Sequence, residues 1–165
     1  MYGSAADFTT YHEARGRTIS EDWDIDVIEA ALLVASEWVD NSFGDLFSGF
    51  PTDGYLQERQ WPRTSAYTNT YPIYVFAVDE IPTDLENAVY EAAFREATSN
   101  GSLSVDFTPT KYKSVSIDSA LRVEYLQNLD VHNSQKQIQI IDMLLSPLLD
   151  EKLDNSPLSG SSFRK

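Results

Sequence analysis

The strongest constraint in this chain is an amphipathic run from Asp24 to Phe43. Ile28, Leu32, Ala35, Val39 and Phe43 recur at spacings of four and three, the period at which a helix returns to one face. Val27, Ala31, Val34 and Trp38 widen that stripe. A face this broad needs other helices to cover it. Glu21, Asp22, Asp24 and Asp26 crowd its start, where the helix dipole favours negative charge. Gly44 is a natural terminator.

Three further helices are expected around it. Ser4 is an N-cap with Asp7 three residues on, and Phe8, Tyr11 and His12 share a face of a short helix to Arg15, closed by Gly16. After Ile81-Pro82, Thr83 and Glu86 have capping-box spacing, and Leu85, Ala88, Val89, Ala92 and Ala93 form an inner stripe that ends at Ser99-Asn100-Gly101. The last helix is expected over Ser134 to Leu149. Ile138, Ile141, Leu145 and Leu148 lie on one face, Ile140 and Leu144 on a second, and Pro147 marks a kink or an early end.

Two stretches break the helical period. Residues 45 to 81 carry Gly49, Pro51, Gly54, Pro62 and Pro72, together with Phe47, Phe50, Tyr55, Trp61, Tyr67, Tyr71, Tyr74 and Phe76. That is too apolar for a free linker, so an ordered excursion packed on the helices is expected, with a short extended segment at Tyr74 to Val78. Residues 111 to 125 alternate as a β-hairpin does, with Arg122 and Glu124 opposite Leu121, Val123 and Tyr125. A lone hairpin is marginal in water, so helices or a neighbouring subunit must hold it. The fold expected is mainly α: a small bundle of about four helices with a β-hairpin and a long aromatic-rich loop excursion. Residues 1–150 form one domain, and 151–165 an extended C-terminal arm.

Composition bears on function. Twelve Lys and Arg face 26 Asp and Glu, a formal net charge of −14. That opposes non-specific binding to nucleic acid, which rests on cations neutralising phosphates. Between Ser20 and Asp45 there are eight acids and no base. Asp22, Asp26, Glu29, Glu37 and Asp40 read first as a solvated face, and alternatively as a negative surface toward DNA or a charged partner. Cysteine is absent, and His12 and His132 are the only histidines, so thiolate and His-rich metal sites are ruled out. The start, Met1-Tyr-Gly-Ser-Ala-Ala-Asp, does not read as a secretory signal, and no apolar run reaches the roughly 20 residues of a membrane span. A cytoplasmic origin is expected.

No catalytic pattern emerges. The chain has no GxGxxG, P-loop, GxSxG or HExxH. His12 with Glu13 is weak as a general base, because a base also needs a partner and a cleft. The acids lack the spacing and glycine of a calcium loop. No enzyme activity, cofactor or metal is expected. Arg59, Trp61, Arg63, Tyr67, Tyr71 and Tyr74 mix cations and aromatics as single-strand binders do. Asp53, Glu58, Asp79 and Glu80 offset the two cations, which favours instead a Trp61-Pro62 anchor with Arg59 or Arg63 paired to a carboxylate.

The order of features resembles the phage protein family labelled DnaT-like single-stranded DNA-binding. The matching residues are Ser4 to Gly16, the helix Val27 to Phe43, Gln60-Trp61-Pro62-Arg63, Ile81-Pro82 leading to Leu85–Ala93, the hairpin Lys113 to Tyr125, and Met143 to Leu149. Trp61, Pro62 and Arg63 are the most distinctive, and the Tyr-rich stretch from Ala66 to Val78 departs from the pattern. The resemblance implies a structural virion protein: a head–tail connector, or adaptor, ring of about twelve copies at the neck of a tailed bacteriophage, assembled in the host cytoplasm. Its implied partners are itself, the portal protein and a downstream tail or tail-terminator protein. Packaged double-stranded DNA would pass through unbound, with no membrane contact. Phe163, Arg164 and Lys165 would dock on the portal. The alternative is a replication-associated single-stranded DNA binder that uses Trp61, Arg63 and nearby tyrosines.

Overall fold

The computed structural model describes residues 1–104, the strands at 114–117 and 121–124, and residues 138–150. Four helices make the bundle: α1 (Ala5–Glu13), α2 (Ile25–Phe43), α3 (Thr83–Thr98) and α4 (Gln139–Leu145). Helix α3 lies at the centre, packed on α2 and on α4, and α1 touches both α2 and α3. The mainly α architecture read from the sequence is the one observed.

The inner stripes explain this order. Leu85, Ala88, Val89, Ala92 and Ala93 of α3 are fully buried, as are Leu32, Ala35 and Val39 of α2 and Ile141 and Leu145 of α4. The alanines let the neighbouring helices approach α3 closely. Val27, counted in the broad stripe of α2, is exposed instead. Burial of each large aliphatic side chain contributes about 1.5–3 kcal/mol relative to exposure.

Helix ends agree in part with the expected caps. Ser4 Oγ accepts from the Asp7 N–H at 3.2 Å, and Asp24 Oδ1 accepts from the Val27 N–H at 3.0 Å. Gly16, with φ +70°, lies just beyond α1. The capping box at Thr83 does not form. The Pro82 carbonyl accepts from Leu85 and Glu86 N–H, so Pro82 is the N-cap and Thr83 is already helical. Gly44 is the C-cap of α2, as expected, though not in a left-handed turn. It keeps right-handed angles and runs into a 3₁₀ turn, Gly44–Leu46, with Gln60 packed where a side chain would sit. Helix α4 starts at Gln139 rather than Ser134, since Ile138 is extended; residues 134–137 lie outside the described ones. As expected, Pro147 marks its end, in a 3₁₀ turn over Ser146–Leu148.

The hairpin is present. Strands β3 (Ser114–Ile117) and β4 (Leu121–Glu124) pair antiparallel, with Ser114 opposite Glu124 and Ile117 opposite Leu121. The C-terminal arm, with Phe163, Arg164 and Lys165, lies outside the described residues.

A buried polar cluster ties α1 to α3. His12 sits against Phe8 and Phe94, with no exposed surface. Its Nε2 faces the Tyr90 carbonyl at 3.1 Å, which only accepts, so Nε2 carries the proton. Nδ1 is then free to accept from Arg17 Nη1 at 3.2 Å. Arg17 also donates to buried Glu91 Oε2 at 2.9 Å, and Arg95 reaches the same oxygen at 3.0 Å. His12 is therefore a packing residue and not a base. Burial lowers its pKa, and the Arg17 charge adds to that. Burial alone would raise Glu91, but hydrogen bonds from Arg17 and Arg95 outweigh it and hold the carboxyl below its usual range.

The signs of these shifts give a pH dependence. Below 6.5 the unfolded chain protonates His12 while the folded one resists, so stability falls as pH drops from that value toward the lowered folded pKa. Glu91 extends the loss at pH below 4.5. Thermal melts from pH 7.5 to pH 5.5 should show Tm falling in the wild type, with a smaller fall in His12→Gln.

Candidate nucleic-acid interface

The excursion is built as a display lobe. Strand β1 (Phe50–Pro51) pairs antiparallel with β2 (Arg63–Thr64), and Tyr67 lies opposite Val75 in an isolated bridge. Gly49 fits this crossing for two reasons. Its φ is +69°, and a Cβ there would lie 2.4 Å from the Thr64 carbonyl oxygen. The Tyr74 to Val78 segment is extended only in part, through Phe76 N–H to the Ala66 carbonyl at 3.0 Å and Thr68 N–H to the Tyr74 carbonyl at 2.9 Å.

Two side chains hold this lobe: Arg63 braces it from within, and Trp61 links it to the bundle through Tyr2. Arg63 is 5% exposed and uses all five guanidinium donors. Nε donates to the Ser48 carbonyl at 2.9 Å. Nη1 donates to the Gln60 carbonyl at 3.2 Å and to Gln60 Oε1 at 3.0 Å. Nη2 donates to the carbonyls of Gly49 at 2.8 Å and Phe47 at 3.4 Å. The cation thus ties residues 47–49 to residue 60 through neutral acceptors, without a carboxylate partner. Trp61 is 2% exposed, with its ring edge-to-face against Phe47 and Phe76. Its main-chain N–H donates to the Tyr2 hydroxyl at 3.0 Å, and that hydroxyl donates to Asp40 Oδ1 at 2.6 Å.

Asp40 is therefore not part of an open acidic face. It is half-buried, and Arg59 approaches it at 3.7 Å and Glu37 at 3.4 Å. Burial pushes its carboxyl up, against the hydrogen bond from Tyr2. Burial, reinforced by Asp40, raises the Tyr2 hydroxyl well above the ordinary tyrosine range. Asp22, Asp26, Glu29 and Glu37 are exposed, as the solvated-face reading expects. Of the other motif residues, Pro62 is half-buried, Pro82 is buried at the start of α3, and Ile81 is exposed.

Trp61 and Arg63 thus cannot stack on bases or contact phosphates as the single-strand reading supposed. Both are consumed in fixing the lobe. The exposed aromatics are others: Tyr55 at 101%, Tyr71 at 96% and Phe50 at 72%. Tyr74 is exposed too, and its hydroxyl donates to Glu80 at 3.1 Å. Phe50 and Tyr55 were legible only as members of a dense aromatic stretch; nothing in the sequence separates an exposed ring from a buried one there.

The arginines of residues 1–104 are all engaged. Arg15 lies over the Tyr11 ring at 3.4 Å and donates to the Tyr11 carbonyl, while Arg17, Arg59 and Arg95 pair with carboxylates. These five arginines, Arg63 included, face eighteen acids over residues 1–104. The other seven cations, Lys111, Lys113, Arg122, Lys136, Lys152, Arg164 and Lys165, all come later in the chain. Among the described residues, no three His, Asp or Glu side chains gather as a metal site would need, and no helix is long and apolar enough to cross a membrane.

Comparison with protein families matches residues 1–164 to the family described as "Putative DnaT-like ssDNA binding protein". The chain belongs to this DnaT-like family. No curated protein and no solved structure matches it. The match confirms the family named from the sequence and corrects the role drawn from it. Its description is of single-stranded DNA binding, and nothing in it supports a virion structural protein of a bacteriophage. The reading as a portal-binding head–tail connector or adaptor ring in viral assembly is overturned on that ground.

The lobe's attachment is testable. Arg63→Lys keeps the charge but offers three donors from one point, which cannot span acceptors on residues 47–49 and 60. It should destabilise the fold by on the order of 3 kcal/mol in urea titration, since several charged hydrogen bonds are lost.

Proposed function

We propose that this chain is a non-catalytic single-stranded DNA-binding module that stacks bases on the exposed aromatic rings of its excursion. One observation carries the reading. Tyr55, Tyr71 and Phe50 stand exposed on a lobe braced from within by Arg63 and tied to the bundle through Trp61 and Tyr2. Rings held out on a fixed support lose little freedom when a base stacks on them. Stacking is sequence-tolerant, because every base has a π-face. Membership of the DnaT-like family supports the same ligand class.

The charge distribution sets the character of this binding. No arginine of residues 1–104 is free of an internal partner, and acidic Asp53, Glu58, Asp79 and Glu80 flank the rings. Phosphates then gain little from the bundle, and few condensed counterions are released. Bases bind the lobe, while the backbone stays in solvent. Duplex DNA hides its base faces and offers the lobe only phosphates, so it is excluded.

The test is a fluorescence-anisotropy titration with oligothymidylate at several salt concentrations. Binding should be preferential for single strands and depend only shallowly on salt. Tyr71→Ala and Tyr55→Ala should each weaken it about 5- to 150-fold, corresponding to roughly 1–3 kcal/mol per stacked base. Absent binding, or binding untouched by both substitutions, would sink the proposal.

A further inference from the structure

We propose that two copies of this chain pair edge to edge through residues 73–75 of the excursion, as a two-fold dimer. The inference goes beyond the DNA-binding reading and does not rest on it. The bonds on either side of the Tyr67–Val75 bridge run from Phe76 N–H to the Ala66 carbonyl and from Thr68 N–H to the Tyr74 carbonyl. This pattern turns Tyr74 and Phe76 inward and the N–H and C=O groups of Ile73 and Val75 outward. Among the described residues, those outward groups have no partner. Pro72 bounds the free edge on one side. On the other, the Ala77 N–H is taken by Glu80 Oε2 at 2.9 Å.

That leaves a short edge whose donors and acceptors are self-complementary. Antiparallel pairing about a two-fold axis through Tyr74 sets Ile73 of one copy opposite Val75 of the other. Each such pair exchanges two hydrogen bonds, so the dyad satisfies all the free groups at once. A two-fold contact of this kind closes on itself. Natural proteins usually blunt an open edge with a charge or a bulge. This edge carries neither: Ile73 is 64% and Val75 66% exposed.

Charge identifies the occupant as a second copy. The chain carries a net charge of −14, so two copies repel over most of their surface. Between Tyr67 and Val78 there is no charged side chain. This stretch is where two such acidic molecules meet at the lowest electrostatic cost. Ile73 and Val75, apolar and side by side across the dyad, supply the cross-strand contact that stabilises paired strands.

Sedimentation velocity of the full chain over a wide concentration range tests this. The wild type should show a reversible monomer–dimer equilibrium that tightens with added salt. Val75→Lys and Ile73→Lys should be monomeric throughout, with unchanged helical circular dichroism, because both side chains are exposed. Leu33→Lys, an exposed apolar position on α2, should dimerise as the wild type does. A wild type that stays monomeric, or a Val75→Lys variant that still dimerises, would overturn the proposal. Oligothymidylate binding is read separately on the same variants. Val75→Lys leaves Tyr55 and Phe50 in place, so failure of the DNA-binding reading and failure of this one give different results.

Discussion

The arrangement of this molecule depends on one buried cation. Arg63 sits in the core with five hydrogen bonds, four of them to main-chain carbonyls. An isolated buried charge is expensive, and water or a carboxylate is its usual remedy. Here the remedy is the turning backbone of the excursion. The carbonyls of Phe47, Ser48 and Gly49 converge because a residue lacking Cβ stands at 49, where β1 crosses close to Thr64. The cation organises the loop, and the loop solvates the cation.

From that anchor the rest of the lobe follows. Trp61, beside Arg63, plugs the gap between Phe47 and Phe76 and hands its N–H to Tyr2. Tyr2 in turn rests on α2 through Asp40 and through Ser36, whose hydroxyl accepts the Tyr2 N–H at 2.9 Å. Asp150, just beyond α4, closes the same assembly. Asp150 N–H donates to the Leu46 carbonyl at 2.7 Å, and the Tyr67 hydroxyl donates to the Asp150 carboxylate at 2.9 Å. An irregular stretch of more than thirty residues is thereby held by both termini of the bundle and by its own interior. Its outer rings are presented, while its inner rings do the holding.

The helices were legible in the sequence because their signal is periodic. The stripe of α3 is buried throughout; in α2, Ile28, Ala31, Leu32, Ala35 and Val39 are buried, while Val34, Trp38 and Phe43 are half-buried and Val27 is exposed, because only the inner part of that broad stripe faces the neighbouring helices. The cap at Ser4 is legible, whereas Asp24 is one acid among four at the start of α2 and nothing in the sequence singles it out; the cap expected at Thr83 does not form, since Pro82 offers its carbonyl one residue earlier and the helix starts there. In the excursion, the expectation of an ordered, packed segment anchored by Trp61-Pro62 was correct. The division of labour among its rings was not readable, because exposure there is set by long-range contacts with Tyr2, Phe47 and Asp150. Arg63 shows the same limit. Sequence offered a phosphate or a carboxylate as its partner, and the structure supplies carbonyls, which every residue has and no motif records.

The central claim is that the excursion is a fixed platform whose outer face meets single-stranded DNA. Hydrogen exchange of the full chain, with and without oligothymidylate, tests it most directly. The account predicts slow exchange at the Trp61, Thr68 and Phe76 amides in the free protein, because each is bonded within the lobe. On adding the oligonucleotide, further protection should be confined to residues 50–56 and 69–78. Fast exchange at Trp61 and Phe76 in the free protein, or protection that falls on the helices and spares the lobe, would contradict it.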